Sequence, residues 1–192
     1  MGAPVSVPLR VIRGKRKGPT LFVTGAVHGD ELNGTGIIRE LMFSNLPIDT
    51  GTLILVPVVN VFGFERHSRY LPDRRDLNRS FPGDPSGNLT SRLANTIHRE
   101  VIARSELGID LHTAAVGRTN FPHVRADLRI PRLGEIAEWF GSEVITPFEA
   151  PFQPAGWMMA HCSTRSSRPR GRWCSAPTRH TRSGSRSIAP SR

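Results

Sequence analysis

Cysteine is nearly absent. The 192-residue chain has two, Cys162 and Cys174, too few for the disulfide framework that staples small secreted domains. No apolar run approaches the roughly 18–20 residues that a membrane span needs, so no membrane partner is expected. The N-terminus lacks the basic-then-apolar pattern of a secretion signal, which leaves the cytoplasm as the expected compartment. Acid is missing from the C-terminal end, where no Asp or Glu follows Glu149. Residues 1–160 hold all sixteen carboxylates against eighteen Lys and Arg, whereas residues 161–192 hold eight arginines. The net charge of +10 is therefore mostly a property of the tail. A nucleic-acid-binding face would interleave its cations with core positions, and the nearly neutral body does not.

What is present is enough chain for one domain with a core of its own. Val5, Val7, Leu9 and Val11 alternate as in a half-buried strand, and Gly14 to Gly18 reads as a basic turn. "PTLFVTGAV" is nearly continuous in apolar residues, as expected of a strand covered on both faces. Leu32, Ile37, Ile38, Leu41 and Met42 fit one side of a helix over 31–42. "GTLILVPVVNVFG" is a third strand, and residues 64–90 are a long polar loop of the kind that is usually functional or disordered. A helix over 91–105, with Thr90 or Ser91 as its cap, precedes a fourth strand in "ELGIDLHT". Pro131 opens a short helix that Gly141 stops, and "SEVITP" suits a fifth strand. This alternation predicts an α/β domain with a mostly parallel sheet, whose ligands gather at the carboxyl ends of its strands.

Chemistry concentrates at two such ends. In "GAVHGDELNG", residues 25–34, His28 and Glu31 sit where a strand gives way to a helix. A catalytic zinc site takes imidazole and carboxylate ligands at about 2.0–2.2 Å and keeps one position open. His28 and Glu31 can face one ion, and His112, at the end of the "GIDLHT" strand, is the candidate third ligand. Asp110 points to the same side of that strand and is a candidate partner for the ligand imidazole. HxxE by itself is more often a surface helix pair; the buried strand before it and the second strand-end histidine favour a metal. His98 reads as a helix-surface residue, and His67 and His123 as polar-loop residues that either line the site or are simply solvated. His161, His180, Cys162 and Cys174 resemble a zinc cluster in composition only.

The long loop carries the second constellation, "SRYLPDRRDLNRSFPG". Guanidinium forks suit carboxylates. Arg74 and Arg75 read as solvated charge. Asn78 and Arg79, flanked by Leu77 and Phe81 as anchors, read as a carboxylate grip.

Together "GAVHGDELNG", "RDLNRSFPG" and "DLHT" resemble, in order and approximate spacing, the succinylglutamate desuccinylase/aspartoacylase family. Its members are deacylases related to the zinc carboxypeptidases. The resemblance covers residues 5 to about 150, and "NFPHVRADL" is similar to bacterial members of uncharacterised substrate. It implies a zinc-carboxypeptidase-like, three-layer α/β domain with a mostly parallel mixed sheet between helices. It implies one Zn2+ per chain on His28, Glu31 and His112, Asn78 and Arg79 on the substrate carboxylate, and Arg69 as the catalytic cation facing the developing oxyanion. The reaction implied is attack of a metal-activated water on the amide or ester of a small N-acyl amino acid or similar carboxylate.

Two departures stand out. The family's usual "DGRDLNR" reads "DRRDLNR" here, with Arg74 in place of Gly. The family's general base, a glutamate in a sequence resembling "EAGE" several tens of residues after the second zinc histidine, has no counterpart beyond Glu149. The loss coincides with a switch near residue 160 to an Arg/Ser/Pro-rich, acid-free composition that cannot fold by itself and suits a GC-rich gene read out of frame. The expected organisation is thus an incomplete deacylase domain over 1–160 and a disordered or out-of-frame tail over 161–192. Its turnover is expected to be weak or absent. The rivals are a non-enzymatic metal- or carboxylate-binding remnant, a true carboxypeptidase, and a nucleic-acid-associating protein that uses the arginine tail.

Overall fold

The structure, a computed structural model, describes residues 5–148 and 156–162. Its strands are β1 (Arg10–Arg13), β2 (Arg16–Gly25), β3 (Thr50–Val56), β4 (Leu107–His112), β5 (His123–Ala126), β6 (Ile145–Pro147) and β7 (Gly156–His161). Its helices are α1 (Asn33–Phe43), α2 (Val61–Glu65), α3 (Leu89–Glu100) and α4 (Pro131–Phe140). Among the described residues the strands form one seven-stranded sheet in the order β1-β3-β2-β4-β7-β5-β6. The centre, β3-β2-β4-β7, is parallel, while β1 on β3 and β5 on β7 are antiparallel.

Side-chain alternation along each strand decides which layer a residue joins. On one face Val23, Leu55, Leu111 and Met158 pack with Ile38 of α1 and with Leu133 and Ala137 of α4. On the other, Phe22, Ile54, Val56 and Trp157 pack with Ala94 and Ile97 of α3. Helices therefore cover both faces, which gives the expected three-layer α/β architecture with a mostly parallel mixed sheet. Gly108 lets the layers close: a Cβ there would fall on the Phe22 ring. In β4 the apolar Leu107, Ile109 and Leu111 take the α1/α4 side. Asp110 and His112 are left on the face that carries Phe22.

Several sequence expectations shift. The first strand is short: Val5 and Leu9 are exposed, and pairing with β3 begins only at Arg10. The expected basic turn narrows, because Arg16 already pairs with Thr50 across a register shift before Thr20. The 91–105 helix begins earlier and ends earlier. Asn88, not Thr90 or Ser91, is its cap and accepts from Ser91 N at 3.0 Å, while Ile102–Arg104 form a separate 3-10 turn. The strand "SEVITP" contracts to β6. Neither β5 nor β7 was legible, since "HVRA" is short and polar and "GWMMAH" sits beside the composition switch. Glu149, Cys174, His180 and the tail from residue 163 lie outside the described residues.

The 64–90 segment is not structureless. It holds the end of α2 and a 3-10 turn over Leu77–Arg79. Leu71, Leu77 and Phe81 are buried in the α3-side core. Asp73 anchors the segment to the start of α3 by accepting from Thr90 N at 3.0 Å and from the Thr90 hydroxyl. Arg74, in the position the family gives to Gly, has φ 59°. The left-handed turn survives without the residue that takes it freely.

Two predictions follow from these anchors. The left-handed conformation costs a side chain about 1–2 kcal/mol, partly offset by the freedom glycine gains when unfolded. Arg74→Gly should therefore raise stability by up to about 1 kcal/mol, seen as a higher urea midpoint; a lower midpoint would contradict this turn. Burial works against the Asp73 charge, but the Thr90 hydrogen bonds outweigh it and hold its pKa below the usual carboxylate value. A depressed folded pKa stabilises above the unfolded value and is lost as pH falls through the folded one. Asp73→Asn should therefore unfold more easily than wild type at neutral pH, with the gap closing toward roughly pH 3.

Candidate metal centre

Two neighbouring parallel strands, β2 and β4, end side by side, with Gly25 opposite Leu111. Past Gly25 the chain turns through Ala26, at φ 50°, and delivers His28 to the end of the sheet. Gly29 allows this loop to lie on the backbone of Gly63 and Phe64, where a Cβ would collide. Glu31 then sits just before α1, and β4 carries His112 to the same place.

Glu31 is the hub. Its Oε1 lies 2.8 Å from His28 Nδ1, and its Oε2 lies 2.9 Å from His112 Nδ1 and accepts from Thr113 N at 2.9 Å. All three side chains are buried, and one ligand atom from each lies within 4.8 Å of the others. Both imidazoles turn Nδ1 inward and are held from behind at Nε2. His28 Nε2 meets Asp76 Oδ1 at 3.1 Å. His112 Nε2 lies 2.7 Å from Asp110 Oδ2, an ion-pair contact made off the axis of an ideal hydrogen bond. Asp110 is in turn fixed by Thr24, whose hydroxyl donates to Oδ1 at 2.8 Å. Carboxylates behind the imidazoles are how metal-ligating histidines are commonly oriented and made more basic.

The electrostatics favour a cation at this spot. Burial would raise the Glu31 pKa, but hydrogen bonds from His112 and His28 outweigh it and hold the carboxyl well below its usual range. Asp76 is held down in the same way, by His28 and Arg69 against burial. Burial would lower His112, yet the Asp110 charge and the hydrogen bonds to Asp110 and Glu31 push it up to about 10. His28 is raised by Asp76 and Glu31 against the same opposition. Protons on these imidazoles compete with a divalent ion for the Nδ1 lone pairs. Two imidazoles and one carboxylate are the donor set of an open zinc site, and the residues fit that ion.

The three candidate ligands line one wall of a cavity of about 730 Å³. Arg69, Asn78 and Arg79 lie on the same cavity, brought there by the 64–90 segment. Arg69 Nη2 donates to Asp76 Oδ2 at 2.9 Å, and its Nη1 lies 3.5 Å from Glu31 Oε1. Asp76 thus ties the arginine to the His28 imidazole. This hub residue lies inside "RDLNR", and its two-residue spacing from Asn78, whose N–H it receives at 3.0 Å, was the signal that could have found it. His67 is exposed and His98 lies part-buried on α3. His123, read from sequence as a loop residue, instead opens β5 and stacks on His161 with ring centroids 4.3 Å apart. His161, read as part of the tail, ends β7 and lines the cavity, while Cys162 beside it is buried.

Metal content tests the centre. Purified protein should hold about one zinc per chain, lost in His28→Ala and in His112→Ala, by elemental analysis. Asp110→Asn should keep the site but weaken zinc binding roughly 10–100-fold. Zinc retained in both alanine variants would remove the centre.

Residues 17–151 match the sequence model of the succinylglutamate desuccinylase/aspartoacylase catalytic domain. The N-alpha-acetyl-L-2,4-diaminobutyric acid deacetylase of Halomonas elongata is 37% identical over 117 residues, which are 60% of this chain and 33% of that protein. The crystal structure of a succinylglutamate desuccinylase/aspartoacylase from Rhodobacter sphaeroides superposes with a TM-score of 0.74 at 28% identity, covering 83% of this chain and 52% of that one. The product-bound ectoine utilization protein EutE (DoeB) from Ruegeria pomeroyi gives 0.71 at 29% identity, covering 83% and 54%. The chain spans a third of the curated relative's length and about half of each solved structure's. The likeness in fold extends to the murein-tripeptide amidase MpaA from Escherichia coli O157, with a TM-score of 0.59 at 17% identity, covering 81% of this chain and 78% of that one. By its sequence over most of its length, and by its fold, the chain belongs to the succinylglutamate desuccinylase/aspartoacylase family.

Proposed function

We propose that this chain is built for zinc-dependent hydrolysis of the acyl amide, or ester, of a small N-acyl amino acid. The observation that carries the reading is the convergence of His28, Glu31 and His112 on one wall of a cavity that also holds Arg69, Asn78 and Arg79. The deacetylase relative, whose name gives an N-acetylated diamino acid as substrate, supports the substrate class.

Zinc bound to the three ligands would polarise the carbonyl and lower the pKa of water. The chain's own groups do the rest. Asn78 and Arg79 take the substrate carboxylate, a planar anion that matches a guanidinium fork. That contact orients the acyl carbonyl toward the metal ligands. Arg69, immobilised by Asp76, presents a fixed positive charge to the carbonyl oxygen as it becomes an oxyanion, and such preorganised charge acts mainly in the transition state. Asp110 and Asp76 hold the two imidazoles in their ligating orientation.

Proton transfer is the weak point. Among the described residues lining the cavity, Glu31 is the sole carboxylate, and it is committed as a ligand. A positioned base typically contributes about 10²–10⁴-fold, so turnover well below that of a complete deacylase is expected. The same observation favours a second reading, a remnant that binds metal and acyl amino acids without turning them over.

Hydrolysis of N-acetyl and N-succinyl amino acids with zinc supplied, together with calorimetric binding, separates these outcomes. Arg69→Ala should cut kcat roughly 10²–10³-fold. Arg79→Ala should weaken substrate binding roughly tenfold or more. Binding without hydrolysis would leave the remnant reading; neither binding nor hydrolysis of any acyl amino acid would refute both.

A further inference from the structure

One histidine of the cavity has no part in the chemistry above. His161, the last residue of β7, pairs in register with His112 on β4 and with His123 on β5. The three imidazoles consequently line up across one sheet face. His161 is stacked between the other two, with ring centroids 5.3 Å from His112 at 21° and 4.3 Å from His123 at 6°. Its ring plane is thus fixed from both sides. Both of its ring nitrogens are buried, and neither has a hydrogen-bond partner among the described residues. Buried polar atoms are nearly always paired, and a ring kept for packing alone would be served better by phenylalanine. A ligand in the cavity can supply the partners that the described residues do not, because His161 lines that cavity beside the candidate metal ligands.

We propose that His161 is a substrate-contacting residue, a fixed imidazole that hydrogen-bonds the amide of the N-acyl amino acid beside the metal ligands. The inference rests on the deacylase reading and adds to it. A neutral imidazole offers one donor and one acceptor. That pair suits an amide, which supplies both an N–H and a C=O, whereas a carboxylate only accepts and is drawn to Asn78 and Arg79 instead. The cavity thereby divides its recognition, with guanidinium and carboxamide for the acid and imidazole for the acyl amide. Stacking sets the ring before substrate arrives, so little freedom is lost when the contact forms.

The test compares wild type with His161→Phe, which keeps the ring and the stacking, and His161→Gln, which keeps a donor and an acceptor. The probe is N-acetyl-L-2,4-diaminobutyrate. Its Kd is measured by calorimetry on zinc-free protein, and KM and kcat with zinc supplied. His161→Phe should raise Kd and KM roughly three- to tenfold, the worth of a lost neutral hydrogen bond. His161→Gln should recover part of that loss, and Tm and zinc content should stay at wild-type values in both. Binding by His161→Phe within twofold of wild type, with wild type itself binding, overturns the inference and leaves the deacylase reading intact. Failure of wild type to bind or hydrolyse any acyl amino acid overturns both together.

Discussion

The Glu31 carboxylate, clasped between the Nδ1 atoms of two imidazoles at 2.8 and 2.9 Å, is the constraint around which the site end of this molecule is arranged. A buried carboxylate is costly unless every oxygen is partnered. Here the partners come from three directions: the His28 loop, the end of β4, and the Thr113 amide. Each imidazole is braced by a second carboxylate. The result is an alternating array, Asp76–His28–Glu31–His112–Asp110, in which acids and bases hold one another's charge. Such an array is high-stakes, because removing one member strands its neighbours in a dry interior. The two inward nitrogens and the central carboxylate are a donor set that could hold a divalent cation.

The fold produces this array through the parallel pairing of β2 and β4. Parallel neighbours end on the same side, so their following residues meet. Alternation then selects the partners. With Leu107, Ile109 and Leu111 committed to the α1/α4 core, Asp110 and His112 must share the opposite face, where Thr24 of β2 reaches Asp110 at 2.8 Å. The loop that carries Arg69 and Asp76 is pinned by buried Leu71, Leu77 and Phe81, so its charges are delivered to the cavity by an apolar anchor. Arg74 in its left-handed turn shows how strongly that anchoring holds: the loop keeps its path with a residue that disfavours the conformation.

The C-terminal strands β5 and β7 add further residues to the cavity wall. The cavity gathers cations and aromatic rings from β5 and β7, with Arg125 lying over the Phe148 ring at 4.6 Å. Glu31 is the lone carboxylate among the described lining residues. The other described lining residues include the cations and the carboxamide of Arg69, Asn78 and Arg79.

Long or strongly patterned segments were legible from residues alone. The apolar runs of β2 and β3, the Pro-in, Gly-out limits of α4 and the strand-end placement of His28 and His112 all rest on local chemistry that needs no partner. So did the direction of Asp110, because a two-residue spacing on a strand fixes a common face. Tertiary structure decided the rest. Asp76 carries no signal of its own in the composition of the arginine-rich loop, and only the fold sets it between His28 and Arg69. His123 and His161 looked like solvated and tail residues until antiparallel pairing of β5 on β7 stacked their rings. The physical reason is that periodicity reports which face a residue occupies, whereas contacts between residues tens of positions apart depend on strand order, which no local pattern encodes.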